Sequence, residues 1–127
     1  MKSTVSIILM VLLTGCAAKF NQNNYDRMVN VVAISRDQDA VCLNKDSMVS
    51  AASIMHRDTV YALEDSVGRQ DTDVAKMLTG QLDEIDRFQK LLNGGPVSQF
   101  FCKQKVKNIY DTARLIAIEE GNKLKLL

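Results

Sequence analysis

From Tyr25 onward, apolar positions recur every three or four residues with polar ones between them, and no stretch alternates for long enough to suggest a strand. The spacing predicts four amphipathic helices. The first is capped by Asn23 or Asn24 and carries Tyr25, Met28, Val29 and Val32 on one face; its later part, Arg36-Asp37-Gln38-Asp39, is polar and leaves its end near Cys42 open. Ser47 is expected to cap the second, with Val49, Ala52, Val60, Leu63 and Val67 turned inward and an end at about Gly68. The third starts at Asp71 or Thr72 and has the clearest stripe: Val74, Met77, Leu78, Leu82, Ile85, Phe88, Leu91 and Leu92. Asn93-Gly94-Gly95-Pro96 ends it. The fourth follows Ser98, with Val97 set to staple against Cys102, a stripe of Cys102, Val106, Ile109, Ala113 and Ile116, and an end near Gly121. The expected fold is all-α: one small four-helix bundle or a looser helical array over residues 25–127. No internal repeat is visible.

Upstream the pattern changes. Val5 to Leu13 is a continuous apolar run broken by one serine, far short of the roughly 20 residues a spanning helix needs. Lys2 before it and small residues after it give the layout of a secretory signal, so the chain is read as exported. The closing residues Leu13-Thr14-Gly15-Cys16 resemble the lipobox of bacterial lipoproteins. That resemblance implies removal of residues 1–15, diacylglyceryl attachment to the thiol of Cys16, and acylation of the freed amine. Two or more acyl chains, at about 0.8 kcal/mol per buried methylene, give stable attachment. In enteric lipoproteins an aspartate after the cysteine signals retention in the inner membrane; here that position is Ala17, which favours the periplasmic face of the outer membrane. Residues 16–24, ending AKFNQNN, are polar and aperiodic and read as a tether.

Charge and cysteine count narrow the functional classes. Loss of Lys2 with the signal leaves fifteen basic and fifteen acidic side chains, with no basic stripe, which argues against nucleic-acid binding. Export places Cys42 and Cys102 in an oxidising compartment, and an even remaining count predicts one disulfide between them. It would join the end of the first helix to the start of the last and remove roughly 4 kcal/mol of unfolded-state entropy on the chain-entropy account.

Candidate chemistry is sparse. His56 is the sole histidine and lies mid-helix without an evident partner; catalytic dithiols are usually spaced Cys-x-x-Cys; a structural zinc site needs four ligands. Asp37-x-Asp39 and Asp71-x-Asp73 lack the glycine and distant glutamate of a calcium loop and suit helix starts. Glu119-Glu120 reads as a surface pair. With no phosphate loop or nucleophile elbow, the expectation is a protein that is not an enzyme, takes no cofactor or metal beyond lipid on Cys16, and has no small-molecule substrate.

Val31 and Ile34 on the first helix, and Leu115 and Ile118 on the fourth, lie off the main stripes. They are either the margins of wide buried faces or two halves of one groove for a partner helix. Lipobox, polar tether, four helices, and Cys42 and Cys102 near the end of the first and the start of the last give a layout that resembles the small helical pilotins of type II secretion. The resemblance implies binding and delivery of a secretin segment. AVCLNKDS around Cys42 departs from it in lacking a proline-containing turn. Two other classes share the anchor and small size: a phage- or plasmid-encoded lipoprotein that blocks a receptor or channel, and a spanin-like lysis component, against which the single proline argues.

Overall fold

The computed structural model describes residues 19–126; the signal, Cys16 and Ala17 lie outside them. Five α-helices follow in order: α1 (Gln22–Arg36), α2 (Gln38–Val41), α3 (Lys45–Gly68), α4 (Thr72–Asn93) and α5 (Gln99–Asn122), closed by a 3-10 turn, Lys123–Leu126. No strand occurs among the described residues.

Local side chains set most of the boundaries. Asn21 caps α1 by accepting from the amide of Asn24 at 2.9 Å, four residues before the expected start of the domain at residue 25. Asn21 and Asn24 are both buried, so the expected tether to residue 24 is corrected: within the described residues only Lys19 and Phe20 remain of it. Asp37 breaks α1 and caps α2, accepting from the amide of Ala40 at 3.1 Å. At α3 the cap is Asn44 rather than Ser47; Ser47 stands three residues on and returns the bond to the Asn44 amide, a reciprocal capping box. Gly68 is the last residue of α3, but the left-handed position is taken by Gln70, at φ 59°. Asp71 and Ser98 cap α4 and α5 as expected.

Four long helices pack so that each runs antiparallel to its neighbours, with α1 between α3 and α5, and α4 between the same two on the opposite side. Bonds along the seams set the register. Asn24 meets Ser66 across α1 and α3, Gln81 meets Ile109 across α4 and α5, and Glu84 meets Lys105 one turn further along the latter seam. The fold is an all-α helical bundle with one core, in which Met28, Met55, Leu78, Ile85, Ile109 and Ile116 are the largest fully enclosed apolar side chains.

The stripe expected for α5 is buried throughout; in α4 Leu91 is exposed, Met77 and Leu82 are half-buried, and the polar Gln81 is enclosed instead. For α1 and α3 the inward faces differ. Asn24, Met28, Val31 and Ser35 face the interior of α1 while Val29 is exposed; in α3 the buried line includes Met48, Ala51, Met55, Thr59, Ala62 and Ser66, with Val49 and Val67 outside. Two hydroxyls on these inner faces bond within their own helices, Ser35 donating to Val31 O at 2.6 Å and Thr59 to Met55 O at 2.7 Å, whereas Ser66 accepts from Asn24 across the seam. Gln81, fully enclosed, donates to Ile109 O at 2.8 Å and leaves its Oε1 without a partner among the described residues.

Candidate functional site

Cys42 and Cys102 form a disulfide, with Cα atoms 5.9 Å apart and both residues buried. It fastens the turn after α2 to the first turn of α5, on the end of the bundle far from Asn21.

The four off-stripe residues do not make one groove. Val31 is 0% exposed and belongs to the core, so its assignment to a partner face is corrected: α1 is rotated so that its 28–31 edge, rather than its 25–29 edge, faces inward. Ile34 is half-buried and borders a shallow hollow with Ala40, Ser50 and Ile54. Leu115 and Ile118 are exposed, at 58% and 48%. Because α1 and α5 are antiparallel, Leu115 and Ile118 lie beside the start of α1, whereas Ile34 is near its end. At 1.5 Å per residue that separates the two pairs by roughly 15 Å along the helix.

The end where the chain enters is polar and closed. Asn21 donates its backbone N–H to Oε1 of Glu120 at 2.7 Å and its side-chain amide to Asp65 at 3.0 Å. Asn24 reaches the same carboxylate at 3.0 Å and Ser66 at 3.2 Å, and Arg69 pairs with Asp65 at 2.9 Å. Lys123 donates to Glu120 at 2.8 Å and to Asp71. Burial opposes the charge on Lys123, but the hydrogen bonds and negative charges of Asp71 and Glu120 outweigh it and hold the ammonium above its ordinary pKa. Glu120, read from sequence as a surface residue, is 1% exposed. Its local neighbours give no signal of this; its partners are 99 residues upstream and in the final turn.

The opposite end is apolar and open. A cleft of about 520 Å³ lies between the end of α4 and the start of α5, lined by Leu91, Pro96, Val97 and Phe101, with Lys90 the only charged residue on it among the described residues. A second, of about 470 Å³, shares Gly95, Pro96 and Val97 and is bounded on its far side by Met48 and Lys45. Gly95 adopts φ 138°, a conformation reserved for glycine, and this sets the path of the loop between the two clefts. Lys45 donates to Gly95 O at 2.7 Å. Around this end Phe100 (73% exposed) and Leu43 (68%) project into solvent. The sequence marked Asn93-Gly94-Gly95-Pro96 as a helix stop; that the stop opens a cleft depends on α3 and α5 arriving beside it.

Several of the remaining candidates have structural partners. His56 stands 3.0 Å from Asp86 of α4, the partner its sequence context did not disclose. Asp37 and Asp71 are helix caps, and Asp39 pairs with Lys103 at 2.9 Å. No known family model, curated protein or solved structure matches the chain.

Proposed function

We propose that this chain is an exported lipoprotein, anchored through Cys16 at the periplasmic face of the outer membrane, that acts without catalysis as a protein-interaction module. A pilotin-like role, binding and delivering a secretin segment, is the specific form of this reading. The observation that carries it is the polarity of the bundle: the chain enters at one end, through a closed polar cluster, and the open apolar clefts are at the other. An anchor at the first end leaves the second facing away from the membrane, available to another protein. The buried Cys42–Cys102 bridge supports export, since such bonds persist in oxidising compartments. Among the described residues no helix is long and apolar enough to cross a membrane, so attachment in this reading is by lipid.

Radiolabelled palmitate supplied to producing cells tests the anchor. Label is expected on the wild-type protein, with accumulation of an uncleaved form when the lipoprotein signal peptidase is inhibited, and no label on Cys16→Ser. An unlabelled wild-type protein would remove the anchor. For the pilotin form, deleting the gene is expected to lower the amount of an outer-membrane secretin in the same cell; unchanged secretin excludes it.

A further inference from the structure

We infer that the paired clefts beside the Gly95-Pro96 loop receive an apolar protein segment that carries a carboxylate, with the apolar side chains against Leu91, Val97 and Phe101 and the carboxylate between Lys90 and Lys45. This deepens the interaction-module reading and rests on it. Three sources of positive potential border the clefts. Lys90 lines one and Lys45 the other, no carboxylate lines either, and neither ammonium is in an ion pair among the described residues. Lys103 and Lys105, further along α5, are by contrast each paired with a carboxylate, at 2.9 and 3.1 Å. The third source is the start of α5, which begins at the cleft wall with no acidic residue in its first turn to offset the dipole.

Charge also selects the occupant. A second copy docking by two-fold symmetry would set the lysines of one chain against those of the other, which like-charge repulsion disfavours. A lipid surface calls for a projecting apolar face near the anchor, whereas these features are concave and lie at the far end. A segment with Leu, Ile or Phe next to Asp or Glu satisfies both the apolar walls and the unpaired cations.

The test uses the full-length protein, purified from a detergent extract of whole cells and immobilised, against a displayed library of random peptides. Enriched sequences are expected to place Asp or Glu beside Leu, Ile or Phe. Changing that acid to its amide in the best peptide should weaken binding about tenfold. Lys90→Glu, alone and with Lys45→Glu, should turn the preference toward Lys or Arg while the helical circular dichroism stays unchanged; the single variant covers the case in which the double one fails to fold. No enrichment, a consensus without acids, or the same consensus from the Lys90→Glu protein overturns the inference. So does a concentration-dependent dimer that Lys90→Glu dissolves, or binding to phosphatidylglycerol vesicles that it abolishes. The anchor is tested separately by palmitate labelling of Cys16: acidic peptides selected by an unlabelled protein would sink the anchor alone, and a labelled protein that selects none would sink the cleft alone.

Discussion

The two ends of the bundle solve opposite problems with the same four helices. Where the chain enters, five elements converge and a network of polar groups closes over the core: Asn21, Asn24, Asp65, Ser66, Asp71, Glu120 and Lys123 are linked by hydrogen bonds, so that little is left over for an outside ligand. At the far end the core is held shut by a covalent bond, and the residues around that bond are left apolar and uncovered. Buried polar groups are costly unless each finds its partner. A network of this kind fixes a geometry. A disulfide fixes the chain while leaving its neighbours free to be something other than core, and that freedom is where Phe100, Phe101 and Leu43 are found.

On this contrast the largest loss comes from removing the covalent end. Replacing Cys42 and Cys102 together by Ala is expected to lower stability by about 4 kcal/mol, read as a fall in the urea midpoint. A loss under about 1 kcal/mol would mean that packing alone closes the far end. Next in size is the polar end. Lys123→Ala leaves Glu120 buried with its charge uncompensated and is expected to cost about 3 kcal/mol; a change of the order seen for surface lysines would show that the cluster is not closed.

The same lysine gives a smaller, reversible probe. Its pKa is raised in the folded protein, so the stability it contributes is fully present below the unfolded lysine value near about 10.4 and is lost as pH rises through the higher folded value. Urea midpoints should therefore fall above about pH 10.5 in the wild type. In Lys123→Met they should fall less steeply over that range, and parallel curves would exclude the linkage. The smallest effect belongs to the open apolar residues. Phe100→Ser and Leu43→Ser are expected to leave stability within about 0.5 kcal/mol, because both side chains are already mostly in water. A loss of 2 kcal/mol at Phe100 would place it in the core and break the comparison.

How far the sequence disclosed this architecture differs from helix to helix. In α4 and α5 the interior is built largely from Leu, Ile, Val, Phe and Cys, so the apolar stripe and the buried face nearly coincide, with Leu91, Gln81 and Glu120 the clearest departures. In α1 and α3 the interior is built in part from Asn24, Ser35, Asp58, Thr59 and Ser66, with alanines at 51, 52 and 62. Those residues carry little hydrophobic signal, while Val29, Val49 and Val67 carry much and lie outside. A reading by apolar periodicity therefore rotates both helices. Helix termini were more legible, because Asp71 and Ser98 cap by local bonds; Asn44 was missed because Ser47, its partner in the capping box, is an equally good cap by type. The polar cluster and the clefts were invisible for one reason: each is assembled from segments that meet only after folding.

Reduction of a disulfide requires a thiolate to reach one of its sulfurs along the bond axis. Neither Cys42 nor Cys102 offers that approach, both being within about one per cent of complete enclosure. An external reductant must then wait for the helices to part, and the rate at which the bridge is lost becomes a clock for opening of the bundle. The bond is a latch that only unfolding can lift, ill suited to sensing redox conditions.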